Sequence, residues 1–130
     1  MEQKISEKQA EAILRLDPIE RYKHSIKTIA DWEEAWGLYN NGWALAGDEE
    51  KNQFFLLWPA KQYAKLCAEK EWEGYEPKAI SLQYLLDDLL EHLKKENINL
   101  AIFYTPENQG ITSTAEQFEE HLKKELEQYE

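Results

Sequence analysis

Two short apolar runs constrain the fold of this chain more than any other feature of its sequence. Residues 53–58 and 99–104 are apolar without the alternation of a strand that has one solvated face. A strand that is apolar on both sides is usually covered on both sides, so both runs are predicted to lie inside a sheet. Between and around them, apolar residues recur at helical spacing. The chain is therefore predicted to be an α+β domain.

The remaining segments give the element order α-α-β-β-β-α-β-α-β-α. The second helix begins at Asp17-Pro18, because aspartate suits an N-cap and proline suits the first helical position. Asn40-Asn41-Gly42 lies between two alternating segments and predicts a β-hairpin, since Asn-Gly tolerates positive φ at both central positions. We predict a single domain over residues 1–130, with N-terminal helices, a three-stranded antiparallel meander and then alternating helices and strands. Its mixed sheet would have about five strands.

Two further helices have distinct apolar sides. One follows Pro59 and has Tyr63, Ala64 and Cys67 on its apolar side. The other follows Ser81, a residue type favoured at an N-cap. Its inward face is predicted to consist of Leu82, Leu85, Leu86, Leu89 and Leu93. Both helices are expected to pack on the sheet.

The formal net charge of −11 limits the classes of partner. Nucleic acid requires a basic patch, which the sequence lacks, and an anionic membrane surface is disfavoured for the same reason. Residues 1–4 lead into charged positions without the apolar segment of a signal peptide, and no apolar run is long enough to span a bilayer. The only cysteine, Cys67, rules out an intramolecular disulfide, so we expect a cytoplasmic protein. A basic or amphipathic protein partner is electrostatically allowed.

No motif for catalysis, metal binding or cofactor binding stands out. The three histidines share no tight ligand spacing with Cys, Asp or Glu, so no metal site is predicted. The acidic groups at 33–34, 48–50 and 87–88 are expected on solvated faces. Cys67 lies within an apolar stripe, which favours a small buried hydrophobe over a nucleophile. We predict no catalytic residue and no cofactor. The alternative is a small enzyme or small-molecule-binding domain that uses Cys67 or an acidic pair.

Five tryptophans between residues 32 and 72 are the least ordinary feature of the sequence. They indicate either a large aromatic core or an aromatic recognition groove, because Trp and Tyr dominate binding hot spots. We predict a binding face where Trp58-Pro59, at a strand-to-helix junction, meets the acidic loop at residues 69–77. That loop supplies Trp72 and Tyr75 as exposed anchors, and Trp43 contributes. The function predicted from these features is a non-catalytic protein-binding or regulatory module.

The tryptophan segments also carry a family resemblance. The sequences DWEEAWGLY (31–39), GWAL (42–45) and LWPA (57–60), with Tyr63-Ala64 just after them, resemble a small bacterial family of unknown function, domain-of-unknown-function family twenty-seven-fifty. The similarity runs from the first helix to Pro106. It implies a bacterial cytoplasmic protein and a shared fold. The family has no established activity, so the resemblance assigns no catalytic residue.

Overall fold

The structure, a computed structural model, describes residues 5–47, 49–69, 72–106 and 110–129. The start of the chain, for which no signal peptide was predicted, and Asp48 of one acidic group lie outside the described residues. The predicted α+β class is confirmed. In chain order the elements are α1 (Glu7–Leu14), α2 (Pro18–Trp32), β1 (Glu34–Tyr39), β2 (Leu45–Gly47), β3 (Gln53–Leu57), α3 (Lys61–Ala68), β4 (Glu76–Ser81), α4 (Leu82–Tyr84), a π-helical segment (Leu85–Leu89), α5 (Leu90–Glu96), β5 (Asn99–Ile102), β6 (Ile111–Ser113), α6 (Ala115–Leu126) and a 3-10 turn (Glu127–Tyr129).

The two apolar runs form the centre of a four-stranded mixed sheet. Its strand order is β2-β3-β5-β6, in which β3 and β5 are parallel and the two outer pairs are antiparallel. Both interior strands are therefore confirmed. Four of their side chains are almost completely buried: Leu56, Leu57, Leu100 and Ile102. The sheet also contains the short strand β6, which was not predicted because three residues are too few to show a strand pattern in the sequence.

The predicted three-stranded meander and the predicted single sheet of about five strands are wrong, because the strands form two sheets: the four-stranded sheet and a two-stranded sheet of β1 and β4. β1 pairs antiparallel with β4, from Glu34↔Ser81 to Tyr39↔Glu76, and β2 pairs with β3 instead of β1. The meander followed from the tendency of consecutive strands to pair. Here the edge of β1 that faces away from β4 is divided between two short segments. Ala44 N–H donates to Leu38 O near one end, and Trp36 exchanges two backbone hydrogen bonds with Trp58. A full-length β1–β2 ladder has no room on this edge.

The turn at Asn40-Asn41-Gly42 nevertheless forms as the sequence predicts. Asn41 has a φ of 56°, Asn40 N–H donates to Gly42 O at 3.0 Å, and Tyr39 pairs with Trp43. The chain then turns away from β1 after Ala44 and continues into the four-stranded sheet. This turn therefore projects Trp43 at the place where the two sheets meet.

Side-chain caps begin most of the longer helices where the sequence predicts them. Asp17 and Ser81 each accept a hydrogen bond from a backbone N–H three residues on. The leucine helix differs in detail, because the π-helical segment inserts an i to i−5 hydrogen bond from Leu90 N–H to Leu85 O. The wider turn rotates the inward face. Leu85, Leu89, Leu90 and Leu93 are buried, whereas Leu82 and Leu86 are half-buried. Among the described helices, none combines the length and apolar character needed to cross a bilayer.

Candidate functional site

Trp58 lies in the core, at the junction of the two sheets. Its side chain is 0% exposed and its indole N–H donates to Tyr104 O at 2.7 Å. Its backbone N–H and C=O bond to Trp36 at 2.8 and 2.9 Å. Pro59, which follows, is also buried. In this conformation neither residue presents a ring to solvent.

Cys67 and Trp72 both contact Tyr104. The Cys67 thiol is 1% exposed and donates to Tyr104 O at 3.4 Å. The Trp72 ring contacts the Tyr104 ring edge-on, with centroids 5.2 Å apart. The backbone N–H of Trp72 donates to Cys67 O. Trp72 is half-buried against the core. The structure thus brings Trp58 and Trp72 together at Tyr104, with Trp58 fully buried and Trp72 half-buried.

The other two predicted site residues have different surroundings. Tyr75 is half-buried and its N–H donates to Trp72 O. The Trp43 ring packs edge-on against Tyr39, with centroids 5.2 Å apart, and is tilted against Phe55 at 5.5 Å. Trp43 therefore belongs to an aromatic cluster on the β1 side of the hairpin turn.

That cluster borders an open groove of about 650 Å³, which we call the Trp43 groove. Its rings and charged groups come from α2, β1, the hairpin turn, β4 and α4. The principal ones are Trp32, Glu34, Tyr39, Trp43, Lys78 and Tyr84. Trp32 is 41% exposed and Tyr84 is 42% exposed, which is unusual for side chains of this size. Glu33, at the left-handed C-cap of α2, lines the groove as well.

Gly37 determines where the Trp43 ring can lie. A Cβ at this position would stand 2.9 Å from a carbon of the Trp43 ring and 3.4 Å from Ile80 Cδ1. The ring therefore lies directly against the β1 backbone, which only glycine permits. Lys78 is the cross-strand partner of Gly37 in β4. Its ammonium nitrogen lies 4.0 Å from the Tyr39 ring centroid and 5.6 Å from that of Trp43.

Sequence reasoning included Trp43 but missed its neighbours in the groove. Trp32 is the last residue of α2, and its place among the five clustered tryptophans was the one signal for it in the sequence. The closeness of Tyr39 and Lys78 depends on the β1–β4 pairing, which joins strands far apart in the chain. No group of three or more His, Cys, Asp or Glu within the described ranges is arranged to hold a metal ion.

These features define an α+β protein in which a tryptophan-linked pair of sheets carries an open aromatic groove. A family model described as Protein of unknown function (DUF2750) matches residues 22–122, and the chain belongs to this family. The resemblance to this family is thereby confirmed, although the match begins within α2 and not at the first helix, and ends at residue 122 and not at Pro106. No curated protein and no solved structure matches the chain. The whole Trp43 groove lies inside the matched region, whereas α1 lies outside it.

Proposed function

We propose that this protein is a non-catalytic protein-binding or regulatory module of the bacterial cytoplasm and that the Trp43 groove is its binding face. The observation that carries the proposal is the pair of exposed rings, Trp32 and Tyr84, beside the positioned ring of Trp43. Large aromatics supply much contact area for little conformational entropy, which is why they dominate binding hot spots. The groove is open, which suits a protein segment better than an enclosed small molecule.

The charge of the molecule supports a basic or amphipathic partner. The chain carries a formal net charge of −11, and Glu33 and Glu34 line the groove itself. Complementary charge raises the rate of encounter and selects against acidic partners. Of the tryptophans predicted as anchors, Trp43 lies at the proposed binding face. Trp58 is part of the core, and Trp72 packs against the core.

The burial of Cys67 weakens the alternative of a small enzyme built on this thiol. We expect native Cys67 to react with iodoacetamide at neutral pH at least about 100-fold more slowly than the same residue in the urea-unfolded chain, because modification requires an exposed thiolate. Mass spectrometry of timed samples measures both rates, and the unfolded chain is the control. Native alkylation as fast as that of the unfolded chain would favour the enzyme alternative.

The binding face itself can be tested with a photo-crosslinking residue. We expect p-benzoylphenylalanine at position 84 to give protein adducts in cells, because Tyr84 stands exposed at the groove. The matched control carries the same residue at position 124, on the exposed side of α6. Adducts at 84 should also disappear when Trp32 is replaced by alanine. Equal adducts at both positions, or adducts at 84 that persist without Trp32, would contradict the proposal.

A further inference from the structure

We infer that the Trp43 groove recognises the positively charged head of a partner's lysine or arginine side chain, and that Lys78 occupies this position in the free protein. The inference rests on the proposed function, since it specifies what the same groove binds. It starts from an observed pairing of a cation with two rings. A lysine of the chain itself shows which chemistry the groove accepts.

The geometry is that of a cation–π site. The Lys78 ammonium nitrogen lies 4.0 Å from the Tyr39 ring centroid, well inside the range of about 6 Å in which a ring attracts a cation. The Trp43 ring is a second aromatic wall at 5.6 Å, and the planes of the two rings stand 76° apart. Two steeply inclined rings form a corner that holds a compact cation from two sides. The Gly37 backbone and Phe55 fix one of these walls.

Lys78 is held there weakly enough to be displaced. It is exposed, and within the described part of the chain its ammonium group makes no ion pair with a carboxylate. An exposed cation–π contact contributes only about 0.5–1 kcal/mol. The flexible four-carbon stem of lysine can swing out at little cost. A cation from a partner can therefore take the same corner once Lys78 leaves it.

The charges around the corner favour a cation over other ligand chemistry. Glu33 and Glu34 line the groove, and Lys78 is the one basic side chain among its described lining residues. When Lys78 moves away, the corner presents two ring faces, and the groove around it retains two glutamates and no basic side chain among its described lining residues. An anionic segment would be repelled by these carboxylates, and a neutral segment would gain nothing from the ring quadrupoles. A basic segment gains from both.

The test uses an acetylated and amidated dodecapeptide of alternating lysine and glycine as the probe, with binding measured by isothermal titration calorimetry. We expect Lys78→Gln to tighten binding about fivefold, because the resident cation no longer competes for the corner. The matched control, Lys124→Gln on α6, makes the same change in net charge and should alter binding less than twofold. Tyr39→Leu in the Lys78→Gln background should reverse the gain, and circular dichroism checks that each variant is folded.

Each outcome bears on the inference. Binding of Lys78→Gln that is no tighter than that of Lys124→Gln overturns it, as does equal binding of a glutamate–glycine peptide. Should Tyr39→Leu fail to fold, the comparison of the two lysine variants alone decides. If crosslinks form at position 84 but Lys78→Gln does not change peptide binding, the cation site is disproved and the proposed function is retained. Tightening by Lys78→Gln without crosslinks at position 84 would do the reverse.

Discussion

Replacing Trp58 with alanine is expected to lower the free energy of unfolding by about 3–5 kcal/mol, the usual range for a fully buried tryptophan. The loss has two parts. Removing the 0% exposed indole leaves a large cavity among buried neighbours, and the indole hydrogen bond to Tyr104 O disappears. The substitution keeps the backbone hydrogen bonds to Trp36 but removes the buried indole that packs beside them. Urea denaturation followed by far-UV circular dichroism gives the free energy, provided that the slope is unchanged.

Trp58→Phe separates the cavity from the hydrogen bond. Phenylalanine keeps most of the ring volume and lacks the N–H group, so we expect a loss of about 1–2 kcal/mol. The Cys67 thiol still donates to the Tyr104 carbonyl, which limits the cost of losing the indole donor. A Trp58→Ala variant within about 1 kcal/mol of the parent would show that this ring is not the buried link that the structure describes.

The strand assignments that held are those in which local pattern and burial agree. Residues 53–58 and 99–104 are apolar on both sides, and most of their side chains are buried in β3, β5 and the residues that follow these strands. Each of the two strands also has a neighbouring strand on either edge. Caps such as Asp17 and Ser81 could also be predicted, since their side chains satisfy N–H groups only three residues away. These features depend on neighbours in the sequence.

The pairing of β1 with β4 could not be predicted because its cause is distant in the sequence. Nothing near Trp36 signals that Trp58 will take part of the β1 edge and leave the other edge for β4. The candidate site suffers from the same gap. Its cation corner combines Tyr39, Trp43 and Lys78, and the third of these joins the others only through the β1–β4 register. Exposed aromatics could be suspected from the sequence, but their partners could not.

Arg21 is the second residue whose replacement should be costly, because its charged group is buried and has no ion pair with a carboxylate among the residues that the structure describes. The side chain is 4% exposed, and Nη1 donates to Leu16 O at 2.6 Å and Leu14 O at 3.4 Å. Its guanidinium carbon lies 5.7 Å from the Phe103 ring centroid. Burial lowers the pKa of Arg21 more than the nearby charge of Asp17 raises it. The guanidinium group thus loses hydration and in return donates to two carbonyls at the C-terminal end of α1.

The remaining polar atoms of Arg21 oppose its contribution to the free energy of unfolding, and this balance can be tested. Among the described residues, Nε and Nη2 have no hydrogen-bond partner, and such buried donors cost about 1–3 kcal/mol. The bonds to Leu14 O and Leu16 O and the packing on Phe103 must outweigh that cost. The first variant to examine is Arg21→Ala, which removes all these contributions together. The second is Arg21→Met, which keeps the length and apolar packing of the stem but has no donor.

We expect Arg21→Ala to lower the free energy of unfolding by about 2–4 kcal/mol, since it opens a cavity and leaves two carbonyls without their donor. Arg21→Met should lose about 1–2 kcal/mol less, because it fills the space and removes the unpartnered N–H groups. Urea denaturation measures both. Amide hydrogen exchange should become faster in α1 before other elements. This helix has no buried residue of its own and is held by the hydrogen bonds from Arg21 to Leu14 O and Leu16 O. Equal losses in the two variants would mean that the carbonyl bonds, and not the packing against Phe103, provide the stability. A loss below about 1 kcal/mol for Arg21→Ala would show that the buried charge costs as much as it contributes.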